Sequence, residues 1–143
     1  MPCLAYLARV REAYPAVTAL GARLVAVGTG SEAQAGELAA RGLPFPCLVD
    51  ATGALYEALG LGRVGWWTAL DPATYASYWR AWRAGARRGR VTGDWRRLSG
   101  VAVLDAAGRL AWLHRARTIG DYPPVDAVLA ALRGLAGGAR PAR

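Results

Sequence analysis

The stretch RLVAVGTGSEAQAGELAARGLPFPCLVD, residues 23–50, decides the fold of this chain. Its first residues, 23–27, form a short apolar run bounded by glycines, which is typical of a buried strand. A capping box that begins at Ser31 predicts a helix that ends at about Arg41. Residues 47–49 then form a second short apolar run. Two strands joined through a helix indicate a parallel pair within an α/β sheet.

The elements on both sides of this unit continue the alternation of helices and strands. They are predicted as a helix over 4–20, a short helix over 54–59, a longer helix from 72 to about 85, a hairpin with strands at 101–104 and 110–115, and a last helix from 125. This order suits an α/β fold of the thioredoxin-like type, with a mixed sheet flanked by helices. We expect one domain over residues 1–134 and a flexible tail over residues 135–143.

Composition restricts the class of protein. The 143 residues carry a net charge of +8, and every basic residue is arginine. A strongly basic domain can bind nucleic acid or an anionic surface, but arginine without lysine in a chain rich in Ala and Gly indicates a compositional bias. No apolar run approaches the roughly 20 residues of a membrane span, and no signal peptide is visible. Two cysteines are too few for a disulfide scaffold, so we expect a cytoplasmic protein with reduced thiols.

Several short motifs share an order and spacing with one known family. They are residues 3–7 (CLAYL), 43–46 (LPFP), 49–50 (VD), 55–60 (LYEALG), 78–82 (YWRAW), 92–95 (TGDW), 98–103 (LSGVAV), 114–115 (HR) and 120–121 (GD). Over nearly its whole length the chain resembles the thioredoxin-fold, peroxiredoxin-like proteins of the alkyl hydroperoxide reductase/thiol-specific antioxidant group. The resemblance implies a thiol-dependent antioxidant or oxidoreductase. Such a protein reduces hydroperoxides or disulfides, is regenerated by a thiol reductant, and needs no cofactor.

The resemblance also implies that the chain is truncated at its N-terminus. The family usually carries C-x-x-C-R-E at the start of its first helix, after a strand. Cys3 matches the second cysteine, with Leu4-Ala5 where Arg-Glu is usual, so the first cysteine and the strand would precede the sequence. Without that central strand a gap would separate the strands at 24–28 and 101–104, with unpaired backbone groups on both sides. The explanations are a start farther upstream, a different closure of the sheet, or a partner in the gap.

Cys3 is the candidate catalytic residue. A helix N-terminus stabilises a thiolate through its unpaired N–H groups and partial positive charge, and the thiolate is the nucleophile that attacks peroxides. The product is a sulfenic acid, which a second thiol resolves. By the resemblance, an arginine near the thiol polarises the peroxide; we expect Arg97, just before the strand at 101, with Arg115 as second candidate. Cys47 begins an apolar strand and is interpreted as a small hydrophobic residue, with a resolving role left open.

Other patterns in the sequence carry less chemistry. His114 is the only histidine, and two cysteines do not complete a zinc site, so no metal site is predicted. We expect His114 to be structural, because a lone histidine needs an orienting partner to act as a base. Residues 28–30 (GTG) lack the third glycine of a dinucleotide fingerprint and the lysine of a P-loop, and are interpreted as a turn.

The segment 75–83 (YASYWRAWR) offers a different kind of function. Its four aromatic residues share one helical face, with Arg80, Arg83 and Arg87 along the flank. Basic aromatic helices can bind membranes or single-stranded nucleic acid. Aromatic residues at helical spacing usually belong to a core, however, so we expect them to pack on the sheet beside Trp66 and Trp67.

The sequence therefore leaves two alternatives to an enzyme. One is a non-catalytic binding protein on the same scaffold, and the other is a binder of anionic surfaces or nucleic acid through the arginine- and tryptophan-rich helix. Nucleic acid is not expected as the main partner. An exposed central edge of the sheet would allow a homodimer.

Overall fold

The computed structural model describes residues 2–65, 70, 72–83 and 96–138. Within that part of the chain the helices and strands are, in order, α1 (Pro2–Ala19), β1 (Ala26–Gly28), α2 (Glu32–Ala40), β2 (Cys47–Val49), α3 (Ala54–Ala58), α4 (Pro72–Arg83), β3 (Gly100–Leu104), β4 (Leu110–Arg115) and α5 (Val125–Ala136). Every element expected from the sequence is present in this order. The expected positions of Trp66, Trp67 and most of the basic loop from Arg87 lie outside the described residues.

The ends of two elements differ from the sequence expectation. Strand β1 begins at Ala26 rather than at Arg23, because its ladder with β2 covers only three residues. Helix α5 continues to Ala136, which lies within the segment expected to form a tail. Residues after 138 are outside the described part of the chain.

The strands form two separate two-stranded sheets among the residues that the structure describes. β1 and β2 pair in parallel, with Val27 opposite Leu48. β3 and β4 pair antiparallel, with Ala102 opposite Leu113. β1 and β3, the strands between which the sequence predicts a gap, are not hydrogen-bonded to each other.

The backbone of β1 shows which of its edges is open. The amide of Ala26 donates to the carbonyl of Pro46 at 2.9 Å, and the amide of Asp50 donates to the carbonyl of Gly28 at 2.8 Å. The backbone groups of residues 26 and 28 therefore face β2. Because this direction alternates along a strand, the backbone groups of Val27 face away from β2.

The same argument defines the open edge of β3. The amide of Ala116 donates to the carbonyl of Ser99 at 3.0 Å, which places residue 99 in a hydrogen-bonded pair with the β4 side. By alternation, Val101 and Val103 face β4 and Ala102 faces away from it. β1 and β3 thus each have an outer edge that pairs with no other strand among the described residues.

The core lies where α1 and α5 pack together and α5 covers the hairpin. Its most buried apolar residues are Val17, Phe45, Leu98, Val103, Ala116 and Leu129. The ring of Tyr14 on α1 packs against Phe45, with 5.7 Å between the ring centroids. Among the residues that the structure describes, no helix combines the length and apolar character needed to cross a bilayer.

Helix α4 departs from the sequence expectation. Tyr75, Trp79 and Trp82 are 66%, 57% and 68% exposed, so the prediction that these rings pack on the sheet is wrong. The side chain of Tyr78 lies outside the described part of the structure. Helical spacing shows that aromatic residues share a face, but it does not show whether another element covers that face.

Candidate functional site

Helix α1 presents the candidate nucleophile at its N-terminus. Cys3 is the second residue of the helix, and its thiol is free and exposed. The first turn of α1 contains no acidic residue. The thiol therefore lies at the positive end of the helix dipole, and no carboxylate in the first turn of α1 offsets that positive charge.

Tyr122, in the loop between β4 and α5, interacts with this thiol. Burial raises the pKa of Tyr122 far above its ordinary value, and the negative charge of Cys3 adds to the effect. Hydrogen bonding with the Ser99 side chain favours the phenolate, whereas hydrogen bonding with Cys3 favours the phenol. The phenol thus stays protonated and donates toward the sulfur of Cys3, while the Ser99 hydroxyl donates toward the oxygen of Tyr122.

A second tyrosine fixes the ring of Tyr122. Tyr6 lies one helical turn after Cys3, and its ring stacks on that of Tyr122 with 4.5 Å between centroids and 13° between planes. Burial raises the pKa of Tyr6. Its hydroxyl is buried and has no hydrogen-bond partner among the residues that the structure describes. Tyr6 therefore contributes its ring face to the site rather than its hydroxyl.

The loop that carries Tyr122 is tied to β4 through the preceding residue, Asp121. The amide of Arg117 donates to Oδ2 of Asp121 at 2.9 Å. Nε2 of His114, on β4, lies 3.4 Å from Oδ1 of the same carboxylate. His114 thus ties the loop to β4, and it has in Asp121 the carboxylate partner that a lone histidine would lack, so its structural role stays a prediction.

Arg97 lies three residues before β3, and its guanidinium is held by Gly53, the N-cap residue of α3, and by Tyr56 within that short helix. Its terminal nitrogen donates to the carbonyl of Gly53 at 3.1 Å. Its guanidinium carbon lies 5.7 Å from the centroid of the Tyr56 ring, a cation–π arrangement. The hydroxyl of Tyr56 in turn donates to the carbonyl of Val27 at 3.4 Å.

The pKa of Tyr56 is affected by both residues that the sequence predicts as catalytic, Cys3 and Arg97. Burial raises the pKa of its phenol, and the charges of Cys3 and Asp50 raise it further. The positive charge of Arg97 acts in the opposite direction. The structure therefore brings Cys3 and Arg97 within electrostatic range of one half-buried phenol, although they lie 94 residues apart in sequence (97 − 3).

Helix α3 is anchored at both ends, which fixes Tyr56 in its middle. Asp50 accepts from the amides of Gly53 and Leu55, each at 2.9 Å. Desolvation opposes ionisation of Asp50, but these hydrogen bonds outweigh it, and the pKa of the carboxyl is lowered. At the other end Arg115 donates to the carbonyl of Leu59 at 2.8 Å. Arg115, the second candidate for polarising a peroxide, is thus used to hold α3.

Gly53 is the residue on which the position of Arg97 depends. Its φ of +76° lies in the left-handed region, which favours glycine. A Cβ at this position would overlap the guanidinium of Arg97. The backbone turn and the close approach of Arg97 therefore both require the absence of a side chain.

Cys47, the second cysteine, lies on β2. Its thiol is free and partly buried, and burial raises its pKa. The thiol that interacts with Tyr56 and Tyr122 is that of Cys3. Within the described residues, no group of three or more His, Cys, Asp or Glu side chains could hold a metal ion.

Sequence reasoning proposed Cys3 and Arg97 as catalytic residues and did not name the polar side chains that interact with them. Tyr56 and Ser99 lie inside the motifs LYEALG and LSGVAV, which carry the family resemblance, so the sequence contained a signal for both. Tyr122 lies outside those motifs. Its place in the site depends on how Asp121 folds the loop back onto β4.

An α/β scaffold that presents a free thiol at a helix N-terminus, beside residues from the loops at strand ends, has the arrangement of a thioredoxin-like protein. The family comparison agrees. The family model of the AhpC/TSA antioxidant enzymes matches residues 9–118, and the chain belongs to this family. Its thioredoxin-like fold and its peroxiredoxin-like character are thereby confirmed. No curated protein and no solved structure matches the chain.

The matched region covers only part of the candidate site. It includes Tyr56, Arg97 and Ser99, but it begins after Cys3 and ends before Tyr122. The family supports a redox role in general. The interaction between Cys3 and Tyr122 is a feature of the structure of this chain.

Proposed function

We propose that the protein is a thiol-dependent peroxidase in which Cys3 reduces hydroperoxides. The family supports an antioxidant role in general. The observation that carries the proposal is the contact between the exposed Cys3 thiol and the half-buried, protonated phenol of Tyr122. A hydrogen-bond donor aimed at a sulfur at the start of a helix stabilises the thiolate, which is the reactive form.

The chemistry follows from a nucleophilic sulfur. The thiolate of Cys3 attacks one oxygen of the hydroperoxide, so that an S–O bond forms while the O–O bond breaks. The sulfur is oxidised to a sulfenic acid, and the leaving alkoxide takes a proton and departs as an alcohol. A thiol then forms a disulfide with Cys3 and releases water. A second thiol reduces this disulfide and restores the Cys3 thiol.

Two neighbouring groups support this step. The Tyr122 phenol, backed by the Ser99 hydroxyl, donates toward the sulfur of Cys3 and holds it in position for attack. Arg97, held by Gly53 and Tyr56, supplies the positive charge that polarises the peroxide and stabilises the departing oxygen. We assign the reducing thiols to a separate small-molecule or protein donor, because the catalytic cycle consumes two thiols in each turnover.

Hydroperoxide consumption with dithiothreitol as the reductant tests the proposal. The Cys3→Ser variant should lose the activity, whereas Cys47→Ser, the matched control for the other thiol, should retain it. An unchanged rate in Cys3→Ser would reject the proposal. Trapping of the sulfenic acid with dimedone should label Cys3 only after the peroxide is added.

The proposal of a non-catalytic binding protein remains as a second candidate, because the family match begins after Cys3. The rate of alkylation by iodoacetamide separates the two candidates. If the protein is an enzyme, Cys3 should be alkylated faster than Cys47 by more than the greater exposure of Cys3 explains. The difference between the two alkylation rates should shrink when urea unfolds the chain. A binding protein predicts that Cys3 reacts at the same rate in the folded and the unfolded chain.

A further inference from the structure

Helix α4 carries an exposed surface that the proposed redox chemistry does not use. Its described exposed side chains include three aromatic residues and two arginines, and together they form what we call the aromatic–arginine face: Tyr75, Trp79, Arg80, Trp82 and Arg83. Leu70, just before the helix, is also 63% exposed. Large aromatic rings left in water are unfavourable, so a contiguous group of them indicates a binding surface.

The residues of this face are sorted by chemistry around the helix. At 100° per residue, Tyr75, Trp79 and Trp82 fall within one arc of about 60°, and Arg80 and Arg83 fall in the adjoining arc. The helix contains no acidic residue. One side of the exposed face is therefore aromatic, and the charged residues of the neighbouring side are all cationic.

The rings of the face contact each other and an arginine. The centroids of Trp79 and Trp82 are 5.3 Å apart, with 37° between the ring planes. The guanidinium carbon of Arg83 lies 5.7 Å from the centroid of Trp79. Tryptophan rings with arginines beside them suit a bilayer interface, where indoles lie at the level of the headgroups and guanidinium groups reach the phosphates.

We propose that the aromatic–arginine face binds the surface of a bilayer that contains anionic phospholipids. The aromatic rings and Leu70 enter the headgroup region, while Arg80 and Arg83 pair with lipid phosphates. The charge of the whole chain, +8, draws the protein toward an anionic surface and supports the orientation. This inference concerns α4 and does not depend on the reactivity of Cys3.

Two other occupants fit the face less well. Single-stranded nucleic acid binds to basic surfaces by stacking bases on free ring faces, but the ring of Trp79 already contacts both Trp82 and Arg83. Stacking and phosphate contacts, through which single-stranded nucleic acid binds, also leave the exposed aliphatic side chain of Leu70 without a partner. A second copy of the chain, related by two-fold symmetry, would place arginine against arginine without an acidic residue of α4 between them.

Vesicle flotation with the full-length protein tests the proposal. We expect binding to vesicles of equimolar phosphatidylcholine and phosphatidylglycerol, and little binding to vesicles of phosphatidylcholine alone. Salt at about 1 M should release the protein, because it shortens the Debye length to about 3 Å and so screens the attraction between exposed arginines and lipid phosphates. Tryptophan emission should shift to shorter wavelength when the vesicles are added. Equal binding to neutral and anionic vesicles, or no binding, would overturn the proposal.

Variants locate the binding to this face. The double variant Arg80→Gln/Arg83→Gln should weaken binding to anionic vesicles at least about tenfold, since each arginine near an anionic surface contributes about 1 kcal/mol. The matched control, Arg23→Gln/Arg41→Gln, removes the same charge from exposed positions outside α4 and should bind better than the first variant. Equal losses in the two variants would show nonspecific attraction and would overturn the assignment to α4.

The aromatic half is tested by Trp79→Ala/Trp82→Ala, which changes exposed side chains and should leave the circular dichroism spectrum of the fold intact. It should abolish the shift in tryptophan emission and reduce binding in low salt. Two results would overturn the proposal in favour of another occupant. One is that light scattering shows a dimer for the unchanged chain and a monomer for this variant. The other is that the unchanged chain binds single-stranded DNA but not vesicles, and that this variant no longer binds the DNA.

Discussion

Arg97 and Tyr56 form a cation–π pair, with the guanidinium carbon 5.7 Å from the ring centroid. The hydroxyl of the same tyrosine donates to the carbonyl of Val27, which faces the open edge of β1. Tyr56 therefore connects the edge of β1 with the residues that lead into β3, and among the described residues no strand joins the two sheets. The charges of Cys3 and Arg97 both affect the pKa of this tyrosine. The candidate site therefore lies between β1 and the residues that lead into β3.

The first prediction concerns Gly53→Ala. The new methyl group would overlap the Arg97 guanidinium and displace it. Because removal of a group that stabilises charge in the transition state slows catalysis, hydroperoxide consumption should fall by roughly tenfold or more. Gly42→Ala is the matched control, because Gly42 has the same φ of +76° and nothing within 4 Å of its added methyl group. Both variants should lose about 1–2 kcal/mol of stability from left-handed strain. Equal activity of the two would show that the position of Arg97 is not used.

The second prediction uses the stacked pair Tyr6 and Tyr122, each changed to phenylalanine. Tyr122→Phe keeps the stacking and removes the donor to Cys3, so alkylation of Cys3 at neutral pH should slow about fivefold, the equivalent of one hydrogen bond of about 1 kcal/mol. Tyr6→Phe removes a buried hydroxyl without a partner among the described residues, and should keep the rate and gain up to about 1 kcal/mol of stability. Equal rates in the two variants would contradict the role given to Tyr122.

The third prediction concerns the open edges of the two sheets. The amides of Val27 and Ala102 face away from their paired strands. The amide of Val27 should therefore exchange with deuterium at least about tenfold faster than those of Ala26 and Gly28, and the amide of Ala102 at least about tenfold faster than those of Val101 and Val103. Amide exchange followed by NMR gives this comparison within single strands, so each strand provides its own control. Strong protection at both Val27 and Ala102 would show that another strand occupies the gap in solution.

The sequence predicts the elements well where turn residues bound them. Strand β2 runs from Cys47 to Val49 as expected, because Pro46 and Asp50 flank it with turn chemistry. Strand β4 also matches its prediction, since residues 105–108 fix the hairpin. The separation of β1 from β3 follows from the family resemblance rather than from local pattern.

The sequence predicts the candidate site less completely. Cys3 was proposed because it matches the family cysteine at the start of a predicted helix, and Arg97 because the resemblance implies an arginine near that thiol; both roles stay predictions. Tyr122 was missed because its contact with Cys3 depends on a loop shaped by Asp121. The exposure of Trp79 and Trp82 was missed because periodicity gives the face of a helix but not its neighbour.

The last prediction concerns the dependence of stability on pH. The pKa of Asp50 is lowered from its ordinary value of 3.8: desolvation raises it, but the amides of Leu55 and Gly53 and the Thr52 hydroxyl outweigh that effect. A carboxyl whose pKa is lower in the folded state stabilises the fold above its ordinary pKa, and this stabilisation is lost as the pH falls through the folded-state value.

Asp50→Asn should therefore destabilise the protein at neutral pH, because an uncharged amide has one acceptor oxygen where the carboxylate has two. The difference from the unchanged chain should narrow as the pH falls below 3.8. Urea unfolding midpoints measured from neutral pH into this range give the comparison. Glu12→Gln, which changes an exposed carboxylate on α1, is the control and should have a much smaller effect. A constant difference between Asp50→Asn and the unchanged chain at every pH would mean that the charge of Asp50 does not anchor α3, and that Tyr56 is held in place by Arg97 and Arg115 alone.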